Sequence, residues 1–213
     1  MDMKLRTEKT LWEKYGKMVL TLTLIVVIAF GCSEYYKHQE AKEALAASKT
    51  YGNLITALQK QDKEEITVLA TRLTEEYGRT PYASLAALTL AKLALEENNL
   101  EAAKKQLRFA SLGNERGPIQ QVARVRLARV MATEKKYEEA LAVLSKPSAP
   151  EGFVTLFEEA KGDIYLLQND KNKANEAYQM AIKAAPEGVP LVRLQLKQAE
   201  LGFKPDVSVK EGS

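Results

Sequence analysis

The sequence of 213 residues contains one cysteine, Cys32, and one histidine, His38. A single cysteine cannot form an internal disulfide bond, so it gives no information on the redox compartment. A zinc site needs about four ligands, usually Cys or His, and the chain has only these two. The sequence also lacks a glycine-rich phosphate loop and the motifs GxSxG and HExxH. We therefore expect no enzyme activity, no cofactor, no metal and no small-molecule substrate.

Aromatic residues are scarce at 7 %, and the net charge is only +3. No basic stripe with interleaved aromatic residues is present, so nucleic-acid binding is not supported. Ala, Leu, Lys, Glu and Gln dominate the composition, and these residues favour helices. Ten of the 28 acidic residues lie in five adjacent Glu-Glu pairs, whose side chains point about 100° apart on a helix and so do not share one proton-transfer site. The composition predicts an all-α protein with solvated helix faces.

One long uncharged run is present, over residues 18–33. A helix continued to residue 36 would span roughly 28 Å, close to the ~30 Å of the bilayer hydrocarbon core. Trp12 and Tyr15 precede the run, and Tyr35 and Tyr36 follow it, as in the aromatic belts at membrane interfaces. The sequence therefore predicts a single transmembrane helix over residues 18–36, in contact with the lipid bilayer.

Residues 1–17 contain five basic side chains. Short basic flanks stay in the cytoplasm, whereas long domains cross the membrane largely regardless of their charge. This rule predicts a cytoplasmic segment over residues 1–17 and a C-terminal domain on the far side. A cleaved signal peptide is disfavoured because the polar lead is long. A lipoprotein signal with lipidation of Cys32 remains an alternative, since Gly31 suits it although Phe30 and Ala29 do not.

A repeat appears in the remaining helical sequence. The last two copies are 34 residues apart, and an upstream copy lies 37 residues earlier, with a loop at residues 113–118 that can absorb the difference. The period and the small residues at helix crossings predict a tetratricopeptide-like α-solenoid over residues 37–202, followed by a disordered tail over residues 203–213. The matching residues are Ala91, Ala128 and Gly162; Ala103, Ala140 and Ala174; and Leu107, Leu144 and Tyr178.

The fourth position of each repeat usually holds a large apolar residue, but here it is Arg124 in one copy and Glu158 in the next. The repeats are therefore degenerate. In tetratricopeptide arrays the first helix of each pair builds the concave face, a surface suited to extended or helical peptide segments. The predicted protein-binding groove consists of Leu88, Lys92, Leu95, Val125, Arg129, Ala132, Glu159, Asp163 and Leu166.

Specific segments carry a family resemblance: the lead ending in YGK, the Tyr-Tyr exit followed by His38-Gln39, and the segments YASLAALTLAK and RLARV. With these segments the chain resembles the YfgM family over residues 11–201. The resemblance implies an ancillary subunit of the bacterial SecYEG translocon, anchored in the inner membrane with a periplasmic tetratricopeptide-like domain. It also implies the periplasmic chaperone PpiD as a partner, with newly exported chains and the Rcs response regulator as further candidates.

Two hypotheses of function follow from the sequence. The first is a non-enzymatic, membrane-anchored adaptor that binds a chaperone or unfolded exported chains through its helical-repeat groove, with roles in protein translocation and envelope stress. The alternative is a tetratricopeptide lipoprotein, lipidated at Cys32, that acts in outer-membrane or pilus assembly.

Overall fold

A computed structural model describes residues 2–112 and 117–203. Within the first helix, it describes no side chains for residues 2–17, 19, 24–26, 29, 32 and 36. The chain divides into two compact units, residues 1–49 and residues 50–213. The helices are α1 (Asp2–Lys60), α2 (Lys63–Glu76), α3 (Pro81–Glu96), α4 (Leu100–Ser111), α5 (Pro118–Thr133), α6 (Tyr137–Ser145), α7 (Val154–Leu167), α8 (Lys171–Ala184) and α9 (Val192–Glu200), with a short 3₁₀ helix at Glu151–Phe153.

Helical hairpins repeat along the second unit. Each hairpin turn contains one non-glycine residue in the left-handed backbone region, and a backbone N–H after the turn donates to a carbonyl of the preceding helix, as in a Schellman motif. The all-α, tetratricopeptide-like prediction is therefore confirmed, and a hairpin formed by the end of α1 and α2 precedes the three units found in the sequence. The left-handed residues are Gln61, Asn98, Lys135 and Asn169, and the N–H groups belong to Asp62, Asn99, Lys136 and Asp170.

Polar side chains begin three of the second helices. The side chains of Asp62, Asn99 and Asp170 accept a hydrogen bond from the backbone N–H three residues later, which satisfies one unpaired donor of the first turn. In α6 the equivalent residue is Lys136, whose side chain makes no such bond. Thr80 and Pro81 begin α3 at the N-cap and N1 positions, although the Thr80 side chain makes no capping hydrogen bond.

Size complementarity governs the crossing of the two helices in a hairpin. A Cβ atom at Gly162 in α7 would lie 2.3 Å from Cε1 of Tyr178 in α8, so only glycine fits opposite this buried ring. The preceding hairpins hold Ala91 with Leu107 and Ala128 with Leu144 at these repeat positions, all buried in one core cluster. A larger residue on one helix therefore requires a smaller residue on the other, since protein interiors are close-packed.

Arg124 is buried in α5, at the position where an apolar residue is usual. Its guanidinium donates to the carbonyl oxygens of Val143 at 2.8 Å and Pro147 at 2.5 Å, and it lies 4.8 Å from the ring centroid of Phe157. The side chain thus satisfies carbonyl groups near the end of α6 that have no helical partner. The degenerate fourth position has a structural role here.

The predicted membrane anchor over residues 18–36 lies within α1. Among the residues whose placement the structure describes, no helix combines the length and the apolarity needed to cross a membrane. Some predictions lie outside the described residues: the side chains of the cytoplasmic segment 1–17, the modification of Cys32, most of the loop 113–118, and the tail 203–213 except Phe203.

Candidate protein-binding face

The nine predicted groove residues lie on α3, α5 and α7, which are first helices of successive hairpins, and we call this surface the first-helix face. The nine residues differ in how far their side chains are exposed to solvent. Val125, Ala132 and Glu159 are buried, and Leu88 and Asp163 are partly buried. The exposed members are Lys92, Leu95, Arg129 and Leu166.

At the C-terminal end of this face, Glu159 holds two cations of α9. Its carboxylate is only 2 % exposed, and it accepts hydrogen bonds from Arg193 Nη2 at 2.7 Å and Lys197 Nζ at 2.8 Å. A buried carboxylate needs such partners because desolvation of an unpaired charge is costly. Part of the predicted groove is therefore occupied by the chain's own last helix.

Equivalent positions of three first helices form a row of alternating charge, Arg129, Asp163 and Lys197, which we call the ion-pair row. Arg129 Nη2 lies 3.4 Å from Asp163 Oδ2, and Lys197 Nζ lies 2.5 Å from Asp163 Oδ1. Each pair is separated by 34 residues, one repeat length. The structure thus brings together Arg129, Asp163 and Glu159 of the predicted site: Arg129 pairs with Asp163, and both carboxylates bind α9.

Tyr178 supports the ion-pair row from α8. Its hydroxyl donates to Asp163 Oδ1 at 2.9 Å, and Lys197 Nζ lies 5.4 Å from the centroid of its ring. Burial raises the pKa of the Tyr178 phenol, and the neighbouring Asp163 carboxylate raises it further. The phenol is therefore neutral and acts as a hydrogen-bond donor at physiological pH.

The N-terminal end of the face is different in character. Lys92 pairs with Glu96 of its own helix at 3.7 Å, and Leu88 packs against the core. Leu95 is 38 % exposed, and on the preceding first helix Ile55 and Leu58 are 37 % and 36 % exposed. A small cavity of about 290 Å³ opens here, with Leu58, Lys92 and Glu96 among its lining residues. This end offers apolar side chains with a few charges, as peptide-binding grooves do.

Sequence reasoning missed Ile55, Leu58, Arg193 and Lys197. Ile55 and Leu58 belong to the first hairpin, in which the large residue at the helix crossing lies on the first helix. Leu54 stands there, where later hairpins have alanine or glycine. One signal was available, since Asp62 precedes Asn99 by 37 residues and both cap a second helix. The two cations were detectable as residues 34 positions after Glu159 and Asp163.

Within the part of the chain that the structure describes, no group of three or more His, Cys, Asp or Glu side chains is arranged to hold a metal ion. The first-helix face offers apolar side chains, charges and hydrogen-bond donors that are held by a rigid helical scaffold. This arrangement suits the binding of a polypeptide.

Comparisons with known proteins give a consistent result. A family model described as a tetratricopeptide repeat-like domain matches residues 9–202. The protein of Neisseria gonorrhoeae named ancillary SecYEG translocon subunit is 26 % identical over 192 residues, which cover 88 % of this chain and 91 % of that protein. Its namesakes in Escherichia coli and Haemophilus influenzae are 27 % and 25 % identical, over 83 % and 81 % of this chain and 84 % of each relative.

A solved structure also resembles the chain. The crystal structure of BtubC (BKLC) from P. vanneervenii superposes with a TM-score of 0.47 and 17 % sequence identity. The match covers 76 % of this chain and 82 % of that chain.

Proposed function

The chain belongs to the tetratricopeptide repeat-like domain family, its resemblance to the ancillary SecYEG translocon subunits is confirmed, and from this premise we propose that it is a non-enzymatic adaptor associated with the SecYEG translocon. The observation that carries the proposal is the similarity to proteins of that name over more than 80 % of the chain. The family model itself matches residues 9–202, a range that includes the predicted anchor as well as the repeats.

The adaptor is anchored in the inner membrane by residues 18–36, with residues 1–17 in the cytoplasm and residues 37–202 in the periplasm. The uncharged run at residues 18–33 and the five basic side chains before it support this topology. Anchoring matters because a tether raises the local concentration, so that individually weak contacts become sufficient. The intact mass of the mature chain tests the anchor: a retained N-terminus supports it, and a lipidated N-terminal Cys32 contradicts it.

The first-helix face binds the periplasmic partner, for which the family resemblance suggests the chaperone PpiD and newly exported chains. Its N-terminal end is the preferred docking region, because Ile55, Leu58 and Leu95 expose apolar surface there. At the C-terminal end, Glu159 and Asp163 already bind α9. The Rcs response regulator is a partner proposed for residues 1–17, and it rests on the resemblance alone.

Site-specific photocrosslinking in intact membranes tests the docking region. A photoreactive residue replaces Leu58 or Leu95, and the control replaces Met180 on the second helix α8, which is more exposed than either and so favours adducts at the control position. We expect the first two positions to give adducts with translocon subunits, the periplasmic chaperone or exported chains, and the control position to give far fewer. Equal yields at all three positions, or no such adducts, would overturn the proposal.

A further inference from the structure

The last helix, α9, occupies the place of a first helix in a further repeat. Arg193 and Lys197 stand 34 residues after Glu159 and Asp163, and each binds its counterpart across the repeat. Leu194 packs into the core cluster of Ala174, Tyr178 and neighbours on α8. The helix α9 therefore continues the stack in the same register as α7.

The outward stripe of α9 is apolar and exposed. Val192 and Leu196 are 63 % and 59 % exposed, and Ala199 is exposed as well. These three residues hold the repeat positions of Glu158, Gly162 and Tyr165 in α7, where Gly162 lies against Tyr178 of the second helix. The stripe is thus the surface on which a first helix normally receives its second helix.

The closest match to this stripe within the chain is the one on the last turns of α1. Thr50, Leu54 and Ala57 have the same spacing, and their side chains differ from those of α9 only by Thr in place of Val. All three are buried in a hairpin whose second helix is α2. Leu58 of α1 and Ile66 of α2 line the same small cavity, so α2 returns along α1. A helix with the packing face of α2 therefore fits α9 by shape.

The residues that follow α9 in sequence do not reproduce that packing face. Counting 34 residues on from Ala174 and Tyr178, which hold the repeat places of Ile66 and Ala70, gives Ser208 and Gly212. Neither residue supplies a large apolar side chain. At these two places the sequence therefore does not supply the packing face of a second helix.

We propose that the stripe Val192–Leu196–Ala199 is a docking surface for an amphipathic helix of a partner protein, which binds as the missing second helix. The packing face of α2 defines the chemistry of this partner: a large apolar residue, a small residue four positions later against Leu196, and a large apolar residue three positions after that. The templates are Ile66, Ala70 and Leu73, all buried.

The charge of α9 indicates how the partner helix is oriented. A second helix runs antiparallel to its first helix, so the C-terminal end of the partner lies beside the N-terminal end of α9. Arg193 stands there and is 72 % exposed, although one of its nitrogens binds Glu159. The end of α2 carries Glu75 and Glu76. We therefore expect the partner helix to be acidic at its C-terminal end. This surface is separate from the first-helix face, and its test does not depend on the translocon.

The test uses the full chain in detergent micelles and a labelled peptide of residues 62–77. A lactam bridge between Glu64 and position 68, with Val68→Lys, lies on the exposed side of α2 and keeps the peptide helical, which circular dichroism verifies. We expect saturable binding by fluorescence anisotropy, weakened roughly tenfold or more by Leu196→Asp, because a carboxylate replaces the central apolar contact. Met180→Asp, an equally exposed site on α8, is the matched control and leaves binding unchanged.

A size exchange makes the test specific. The peptide with Ala70→Leu should bind the unaltered chain weakly, and the chain variant Leu196→Ala should restore its binding, as in the Ala91 and Leu107 pair of the next hairpin. The proposal is overturned if the helical peptide does not bind saturably, or if binding ignores Leu196→Asp. Leu196-dependent self-association in sedimentation would also overturn it, because the occupant would then be a second copy of the chain.

Discussion

The two ends of the first-helix face use the same repeat positions for opposite purposes. At the C-terminal end, Glu159 and Asp163 are joined to α9 by three ion pairs, two of which involve the nearly fully buried Glu159 carboxylate, and Arg129 pairs with Asp163. At the N-terminal end, Leu58 and Leu95 remain exposed to solvent, and Lys92 contacts only its own helix among the ion pairs of the described side chains. We call the C-terminal end the closed end, because α9 occupies part of it, and the N-terminal end the open end.

The sign of the charges explains this difference. Asp163 stands between cations at the equivalent places in α5 and α9, so attraction runs along the ion-pair row. Lys92 stands one repeat before Arg129, and two cations at neighbouring places repel each other. A carboxylate at this repeat position makes stabilising ion pairs with its neighbours, whereas a cation at the same position, as at Lys92, leaves the surface accessible. Repeat proteins permit this because each unit contacts only its neighbours.

Removal of the Glu159 carboxylate should give the largest loss of stability. Glu159 is almost fully buried and pairs with both Arg193 and Lys197. In Glu159→Ala, Lys197 keeps Asp163 as its carboxylate partner, whereas Arg193 loses its partner in this cluster. The variant loses two hydrogen bonds between charged groups, each worth about 1.5 kcal/mol, so we expect a loss of about 3 kcal/mol. Denaturant unfolding followed by circular dichroism measures the change.

Lys92→Ala is the control for Glu159→Ala at the open end. Lys92 is exposed and its partner Glu96 is 3.7 Å away, so the free energy of unfolding should change by less than about 0.5 kcal/mol. Comparable losses in both variants would show that the two ends do not differ in the way described.

Gly162→Ala should destabilise the closed end by about 2 kcal/mol, because the added methyl group overlaps the ring of Tyr178. The ring is fully buried and its hydroxyl binds Asp163, so a movement of the ring also disturbs the ion-pair row. The free energy of unfolding from urea titration measures the loss.

Two further variants identify the cause. Gly162→Ala with Tyr178→Leu recreates the Ala128 and Leu144 pair of the previous hairpin and should recover most of the loss. Gly52→Ala places a methyl group in open space on α1 and should stabilise the chain by roughly 0.5–1 kcal/mol through helix propensity. A double variant no more stable than Gly162→Ala would contradict the size-complementarity argument.

Periodicity made the hairpins readable from the sequence wherever small and large residues followed the common order. Ala128 with Leu144 and Gly162 with Tyr178 fit that order and revealed two units. The order reverses at Leu54 and Ala70, so the first hairpin was not recognised, although the packing requirement is the same. The fold depends on the summed volume of the pair, whereas a sequence pattern records each residue separately.

The binding face was less predictable, for a physical reason. The register placed Glu159 and Asp163 on a first helix, but their availability depends on residues far along the chain. Arg193 and Lys197 lie 34 residues away, and they pair with these carboxylates, of which Glu159 is buried and Asp163 partly buried. Burial is a property of the stacked repeats, and no single repeat shows it. The packing of Arg124 against the carbonyls of Val143 and Pro147 was hidden for the same reason.

Acid should affect the closed end through Asp170, which caps α8. Its bonds to the Lys173 backbone N–H and ammonium group lower the pKa of the Asp170 carboxyl below its ordinary value of 3.8. A lowered folded-state pKa means that the contribution is complete above pH 3.8 and is lost as the pH falls through the folded pKa. The contribution of Asp170 should therefore be constant near neutrality and decline in strong acid.

Asp170→Asn isolates this effect, since Asn also caps helices but does not titrate. The difference in unfolding free energy between the unaltered chain and this variant should stay constant from pH 7 to pH 4 and shift against the unaltered chain below pH 3.8. Asn99 provides the internal comparison, because the cap of α4 is already an amide. A difference that does not vary with pH would contradict the assignment.

The smallest effect should come from extending the ion-pair row into the open end. The double variant Lys92→Glu with Glu96→Lys keeps an intrahelical pair and places a carboxylate one repeat before Arg129. We expect a gain of about 0.5 kcal/mol at low ionic strength, because exposed ion pairs are worth little. The gain should disappear in 1 M salt, where the screening length is only ~3 Å. Addition of Arg129→Ala should also abolish it. If the gain persists in high salt or without Arg129, charge alternation is not the cause, and the open end must owe its accessibility to its apolar side chains alone.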